Sequence, residues 1–177
     1  CYRLLAMQQA VEELTYKIAA ESAKTGFNHR IAVVTYGSDG NESWSNTGMY
    51  TNTSVSMVQY SGTNSISDAN YKKAFYDTSN FAQVRRIINN INTANRDHDT
   101  YSNYGFEMAN NIITKSDASY LADGNRSAVI VMITDGVPGV GNNNASVANS
   151  TANLAIAEAY KSKHQGAYVY SVQMGSE

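Results

Sequence analysis

Leu4, Met7, Val11, Leu14 and Ile18 recur at spacings of three and four residues. They therefore share one face of an amphipathic helix, and the pattern predicts that helix from about Arg3 to Lys24, ended by Gly26. The next run, Ile31, Ala32, Val33, Val34, Thr35 and Tyr36, is short, apolar and β-branched, and turn residues bound it from Gly37 to Gly40, so a buried strand is expected. From Gly37 to about Asn64 the chain is polar, with one alternating stretch, Ser54 to Tyr60, whose Val55, Met57 and Gln59 point the same way as in an edge strand. Phe81, Val84, Ile87, Ile88 and Ile91 restore helical spacing between Ser79 and Thr93, with Asp77, Thr78 or Ser79 available as the N-cap. A polar loop, Asn92 to Asn103, leads into a third helix carrying Phe106, Ala109, Ile112 and Ile113. Ser127 to Thr134 is the most continuous apolar run, as expected of a strand buried on both faces in a parallel sheet, and it stops at Asp135-Gly136. A loop from Gly136 to Asn144, a helix from Val147 to Lys163 bearing Leu154 and Ile156, and a strand from Ala167 to Met174 complete the chain.

This alternation predicts an α/β fold, a doubly wound and mostly parallel sheet flanked by helices, forming one domain over residues 1–177 with a polar excursion at about 38–74. In such sheets ligands bind beyond the carboxyl ends of the strands, and Asp135 lies at one of those ends.

Composition changes the picture mainly by exclusion. The 177 residues are 42% hydrophobic and 16% charged, against roughly 25% charged in an ordinary globular protein, and Asn, Ser, Thr and Tyr supply the missing polarity. Thirteen basic and fifteen acidic side chains leave a net charge of -2, so no general basic field exists to hold nucleic acid or an anionic membrane. No apolar run is long enough to insert directly into a membrane, and the N-terminus lacks the pattern of a signal peptide, so any export signal or anchor is expected outside these residues. Cys1 is the sole cysteine and excludes an internal disulfide or a cysteine-based zinc or iron–sulfur site. A chain that opens with Cys1 and enters a helix almost at once reads as a fragment of something longer, or as carrying a cloning scar.

Asp135 is either a turn residue, since Asp-Gly favours turns, or a hard-metal ligand, nucleophile or general base. Thr100 either caps the helix that follows or ligates a metal, and Asp97 and Asp99 are either further ligands or partners of the helix dipole. His29, His98 and His164 form no metal-binding pair, and neither a phosphate-binding GxxxxGK[ST] loop nor a GxSxG nucleophile elbow is present, which argues against an enzyme. The thirteen tyrosines suit either half-buried packing or a sugar- or protein-binding surface. The Asn-x-Ser/Thr triplets at Asn41, Asn52, Asn125, Asn144 and Asn149 are what chance gives in so Asn-, Ser- and Thr-rich a chain.

Three stretches together resemble a von Willebrand factor type A domain of the kind found on Gram-positive bacterial surface and pilus-tip proteins. They are Arg30 to Tyr36 (RIAVVTY), Thr100 to Ala109 (TYSNYGFEMA) and Val129 to Gly139 (VIVMITDGVPG), and Ala152 to Met174 resembles the family's following helix and strand. The resemblance implies a Rossmann-like fold and a metal-ion-dependent adhesion site holding Mg2+, or Mn2+ or Ca2+, with Thr100 and Asp135 as metal ligands and Asp99, Tyr101, Ser102 and Gly136 lining the ligand position. Oxygen ligands suit such a cation, which keeps an open position for a partner's carboxylate.

The resemblance further implies a non-enzymatic, secreted domain, attached to the cell surface or cell wall through its parent protein, that binds a host or extracellular-matrix protein or other pilus subunits. A scaffold domain with an unused metal site, or an intracellular partner of an ATPase, is the alternative. Two departures stand out. The family's Gly-Gly before the threonine is His98-Asp99 here, and no Asp-x-Ser-x-Ser strand precedes the first helix. That central strand is expected in a longer parent chain or from another chain, because its absence would leave the edges of the strands at Ile31 and Ala128 open.

Overall fold

The computed structural model describes residues 2–37, 47–60, 66–91, 99–116, 127–134 and 145–174. Helix α1 (Tyr2–Thr25) is followed by two short strands on one extended stretch, β1 (Arg30–Ile31) and β2 (Val34–Thr35). Then come β3 (Gly48–Tyr50), β4 (Met57–Gln59), α2 (Asp68–Tyr71), β5 (Tyr76–Asp77), a 3-10 turn (Thr78–Asn80) and α3 (Phe81–Asn90). Helix α4 (Ser102–Lys115), β6 (Val129–Thr134), α5 (Ala145–His164) and β7 (Tyr168–Gln173) follow.

The stretch 30–35 is partnered along one edge by a strand that leaves and returns. β3 runs antiparallel to β2, with Val34 opposite Met49 and Thr35 opposite Gly48, and the Tyr50 N–H donates to the Val33 carbonyl at 3.1 Å. β5 takes up the same role beside β1, with Ile31 opposite Tyr76 and Arg30 opposite Asp77. The ends of the intervening excursion are held together: the Asn52 N–H donates to the Lys73 carbonyl at 2.8 Å and the Tyr76 hydroxyl to the Thr51 carbonyl at 2.6 Å. β4 closes this side as the outer strand of the β2-β3-β4 sheet.

Successive residues of an extended chain point to opposite faces, so 30–35 feeds two cores. Ala32 and Val34 pack against Met49, Tyr60, Ile66, Tyr71, Ala74, Met108 and Ile112. Ile31 and Val33 join Tyr76, Phe81, Val84, Ile87 and Ile88, which α1 covers with Met7, Val11 and Ile18. Helix α1 is also tied to α3 by polar contacts. The Gln8 amide donates to the Ile88 and Ile91 carbonyls at the end of α3, and the Arg85 guanidinium stacks 4.4 Å from the centre of the Tyr16 ring.

The mixed α/β class expected from the alternation of elements is the class observed, but the mostly parallel sheet is not. Among the described residues β1–β5, β2–β3 and β3–β4 pair antiparallel, and β6–β7 alone runs parallel, Val129 to Thr134 in register with Tyr168 to Gln173. The excursion is the cause: it brings the chain back beside the stretch it left, running the other way, where a helical crossover would give parallel neighbours. It is also less of a surface loop than its composition suggests, because Met49, Tyr60, Ile66, Tyr71 and Ala74 within it are buried.

Other expectations need correction too. Strand β6 is not buried on both faces: Val129 is 55% and Val131 44% exposed. Tyr168, Tyr170 and Val172, their register partners and near neighbours on β7, are exposed on the same face. Leu14, assigned to the buried stripe of α1, is exposed, as are Leu154 and Ile156 on α5, because no described element covers those faces. The edge strand is Met57–Gln59 alone, with Gln59 exposed, and the helix expected from Ser79 begins as a 3-10 turn that becomes α-helical at Phe81. No capping bond comes from Asp77 or Asn80, the residues at the two N-cap positions.

Burial raises the phenol of Tyr76 to about 12, with the neighbouring Tyr50 adding to the effect, and burial likewise raises those of Tyr50, Tyr60 and Tyr71 above the ordinary value of 10.0. A raised phenol is neutral in the fold and ionises first in the unfolded chain. The stability it contributes is therefore complete below pH ~10 and is lost as pH climbs through the folded value. Urea midpoints measured from pH 8 to 12 are expected to hold level to about pH 10 and then fall steeply. A level midpoint up to pH 12 would show that these phenols ionise freely in the fold.

Candidate functional site

The loop that carries Thr100 is attached to the end of the extended stretch 30–35. The Tyr101 N–H donates to the Gly37 carbonyl at 2.8 Å, and one turn further on Gly105 lies against the ring of Tyr36. A Cβ at Gly105 would sit 2.8 Å from Tyr36 Cδ1, so glycine is what allows the helix and the ring to approach. The hydroxyl of Tyr36 in turn donates to the Ile133 carbonyl at 2.9 Å, two residues before Asp135. Three segments distant in sequence thus meet at one end of the molecule: the end of 30–37, the start of α4 and the end of β6.

Thr100 is half-buried, and its hydroxyl has no hydrogen-bond partner among the described residues. It is not the helix cap: Tyr101 occupies the N-cap position, and its side chain makes no capping bond. Ser102 and Asn103 are buried, 3% and 7% exposed, yet Ser102 Oγ and Asn103 Oδ1 lack partners among the described residues. An unpaired buried polar atom costs about 1–3 kcal/mol, so two of them side by side mark the opening of α4 as incomplete. Asp99 is half-buried and engaged with its surroundings.

Behind this loop stands a row of tyrosines. The Tyr101 and Tyr104 rings stack at 5.3 Å, and Tyr104 meets Tyr60 at 5.1 Å in a tilted pair. Burial, and after it the hydrogen bond with Glu107, pushes the Tyr60 phenol upward and keeps it neutral. Tyr71 continues the row, its ring 5.1 Å beneath the Lys115 ammonium, which pairs with Asp68 at 2.8 Å. Sequence reasoning did not single out Tyr36, Tyr60, Tyr104 or Glu107. The three-residue spacing of Tyr101 and Tyr104 on a helix start was the one signal that could have pointed to the row.

Of the residues expected at the site, Asp99, Thr100, Tyr101 and Ser102 stand together at the start of α4. Asp135 and Gly136, together with Asp97 and His98, lie outside the described residues. Hydroxyl oxygens such as those of Thr100 and Ser102 suit a hard cation, but they are not a complete coordination shell. Among the described residues no group of three His, Cys, Asp or Glu side chains could hold a metal ion. No helix there is long and apolar enough to cross a membrane.

No protein-family model, no curated protein and no solved structure matches this chain.

Proposed function

We propose that this chain is a non-enzymatic adhesion module resembling a von Willebrand factor type A domain, binding an acidic group of a host or matrix protein through a divalent cation. The observation that carries the reading is the meeting of the Thr100 loop with the end of β6 through Tyr101–Gly37 and Tyr36–Ile133. In this reading the stretch 30–35 and β6 belong to one layer of a doubly wound sheet, and Thr100 and Asp135 sit together beyond its carboxyl ends, where such folds bind ligands. Asp135 would hold Mg2+ through its carboxylate and Thr100 through its free hydroxyl, both oxygen donors of the kind that cation takes. The cation supplies charge to attract a partner's carboxylate; Asp99, Tyr101, Ser102 and Gly136 frame the approach. The parent protein would be secreted and held at the cell surface.

Calorimetric titration of the protein with Mg2+ and Mn2+ tests this, paired with retention on immobilised matrix protein in Mg2+ and in a chelator. Parent protein is expected to take up metal and to be retained only in its presence, and Asp135→Ala to lose at least tenfold in metal affinity with an unchanged urea midpoint. Thr100→Val, which keeps shape and removes the hydroxyl, is expected to weaken metal binding in the same direction. Equal heats from parent and Asp135→Ala, or none from either, would overturn the reading.

A further inference from the structure

Tyr36 and Gly37, adjacent residues at the end of the extended stretch, hold the two segments of the candidate site at once. The Gly37 carbonyl accepts from the Tyr101 N–H at 2.8 Å, one residue after Thr100. The Tyr36 hydroxyl donates to the Ile133 carbonyl at 2.9 Å, two residues before Asp135. An extended chain advances at most ~3.6 Å per residue, so each bond fixes a point within about 7 Å, along the backbone, of a residue expected to bind metal.

The hold is stiff for identifiable reasons. The Gly37 N–H donates to the Thr47 hydroxyl at 3.0 Å, and Thr47 is fully buried beside the start of β3. The Tyr36 ring is seated on Gly105 so closely that a Cβ there would stand 2.8 Å from Cδ1, which leaves the ring no room to move toward α4. A tyrosine has only two side-chain torsions, so a seated ring gives its hydroxyl one place. On β6 the Ala128 and Thr134 carbonyls accept from Tyr168 and Met174, so the even-numbered residues serve β7. The Ile133 carbonyl, on the other edge, receives the hydroxyl without breaking that ladder.

We infer that Tyr36 is a positioning residue that sets the spacing between the Thr100 loop and the end of β6, and thereby favours Mg2+ over the larger Ca2+. The inference rests on the adhesion reading, in which Thr100 and Asp135 hold the cation. Mg2+ requires near-ideal octahedral geometry at about 2.0–2.1 Å, whereas Ca2+ accepts about 6–8 oxygens at about 2.3–2.6 Å in looser arrangements. Two segments held against one anchored dipeptide meet the stricter demand. Phenylalanine at position 36 keeps the seat on Gly105 and loses the bond to Ile133, so the end of β6 is released and the spacing relaxes. A relaxed site still wraps Ca2+ but no longer holds Mg2+ at its short distances. Tyr36 acts through Ile133, not on the cation itself.

Calorimetry with Mg2+ and with Ca2+ on the parent and on Tyr36→Phe tests this, with Ile88→Val, a change in the core that α1 covers, as the control for stability. Tyr36→Phe is expected to lower Mg2+ affinity about fivefold or more and Ca2+ affinity less than about twofold, while Ile88→Val keeps the parent's ratio of the two. A second readout needs no cation. In chelator, the Thr134 amide, next to the released carbonyl, is expected to exchange about threefold faster or more in Tyr36→Phe. An unchanged ratio in Tyr36→Phe, the same change of ratio in Ile88→Val, or an unchanged Thr134 amide would overturn the inference and leave the adhesion reading standing. No heat from the parent with either cation would overturn both.

Discussion

Phe81→Ala is expected to cost about 3–5 kcal/mol of folding stability, read as a drop in the urea midpoint with an unchanged slope. Phe81 is 1% exposed and opens α3 in contact with Val33, Tyr76, Val84 and Ile87, where extended chain and helix meet. Truncation there loses the transfer free energy of the ring and leaves a cavity. The surroundings can refill it only by moving α1 or α3, which Gln8 and Arg85 tie together. With a domain of this size stable by about 5–15 kcal/mol, the loss is a large share of the total, and the thermal midpoint should fall by on the order of 10 °C. A loss below about 1 kcal/mol would show that this core is loosely packed and collapses around the change.

Asn110→Ala is expected to destabilise by about 2–4 kcal/mol, although the residue is polar and sits in a helix. Its amide donates to the Glu158 carbonyl at 3.0 Å and to Glu158 Oε2 at 2.7 Å, and its oxygen accepts from the Ser162 hydroxyl at 2.6 Å. Asn110 and Ser162 are both fully buried where α4 crosses α5. Alanine leaves the Glu158 carboxylate without that donor in a half-buried setting and removes one of the two acceptors of Ser162. Because the two residues share one network, the double variant Asn110→Ala with Ser162→Ala should cost less than the sum of the single ones, by 0.5 kcal/mol or more. Strict additivity would mean that the hydrogen bonds between the helices contribute nothing as a unit.

These sites differ in how far the chain alone reveals them. Phe81, Val84, Ile87 and Ile88 declare themselves by helical spacing, and all four are core residues. Asn110 does not: an asparagine among apolar positions reads as solvent-facing, and only the crossing of α5 over α4 makes it interior. Tyr36 presents the same difficulty, since an aromatic at a strand end is unremarkable until its hydroxyl is seen to reach Ile133. At the candidate site, Thr100 and its neighbours were legible as a polar loop feeding a helix. That Thr100 is not the helix cap, and that Ser102 Oγ and Asn103 Oδ1 are buried without partners among the described residues, depends on what surrounds the loop.

What the sequence determined by itself is local. Helical spacing located α1, α3 and α4, the β-branched runs located 30–35 and β6, and glycines at 26 and 166 supplied the positive φ at which α1 and α5 end. Only the tertiary structure decided which strands pair, and in which direction. Pairing depends on where a chain re-enters after an excursion, and the return of 76–77 beside 30–31 after residues 51–75 is fixed by the long-range bonds Asn52–Lys73 and Tyr76–Thr51. The open face of β6 belongs to the same category: its apolar run demands burial on two sides, but burial is a property of neighbours, which no run of residues contains.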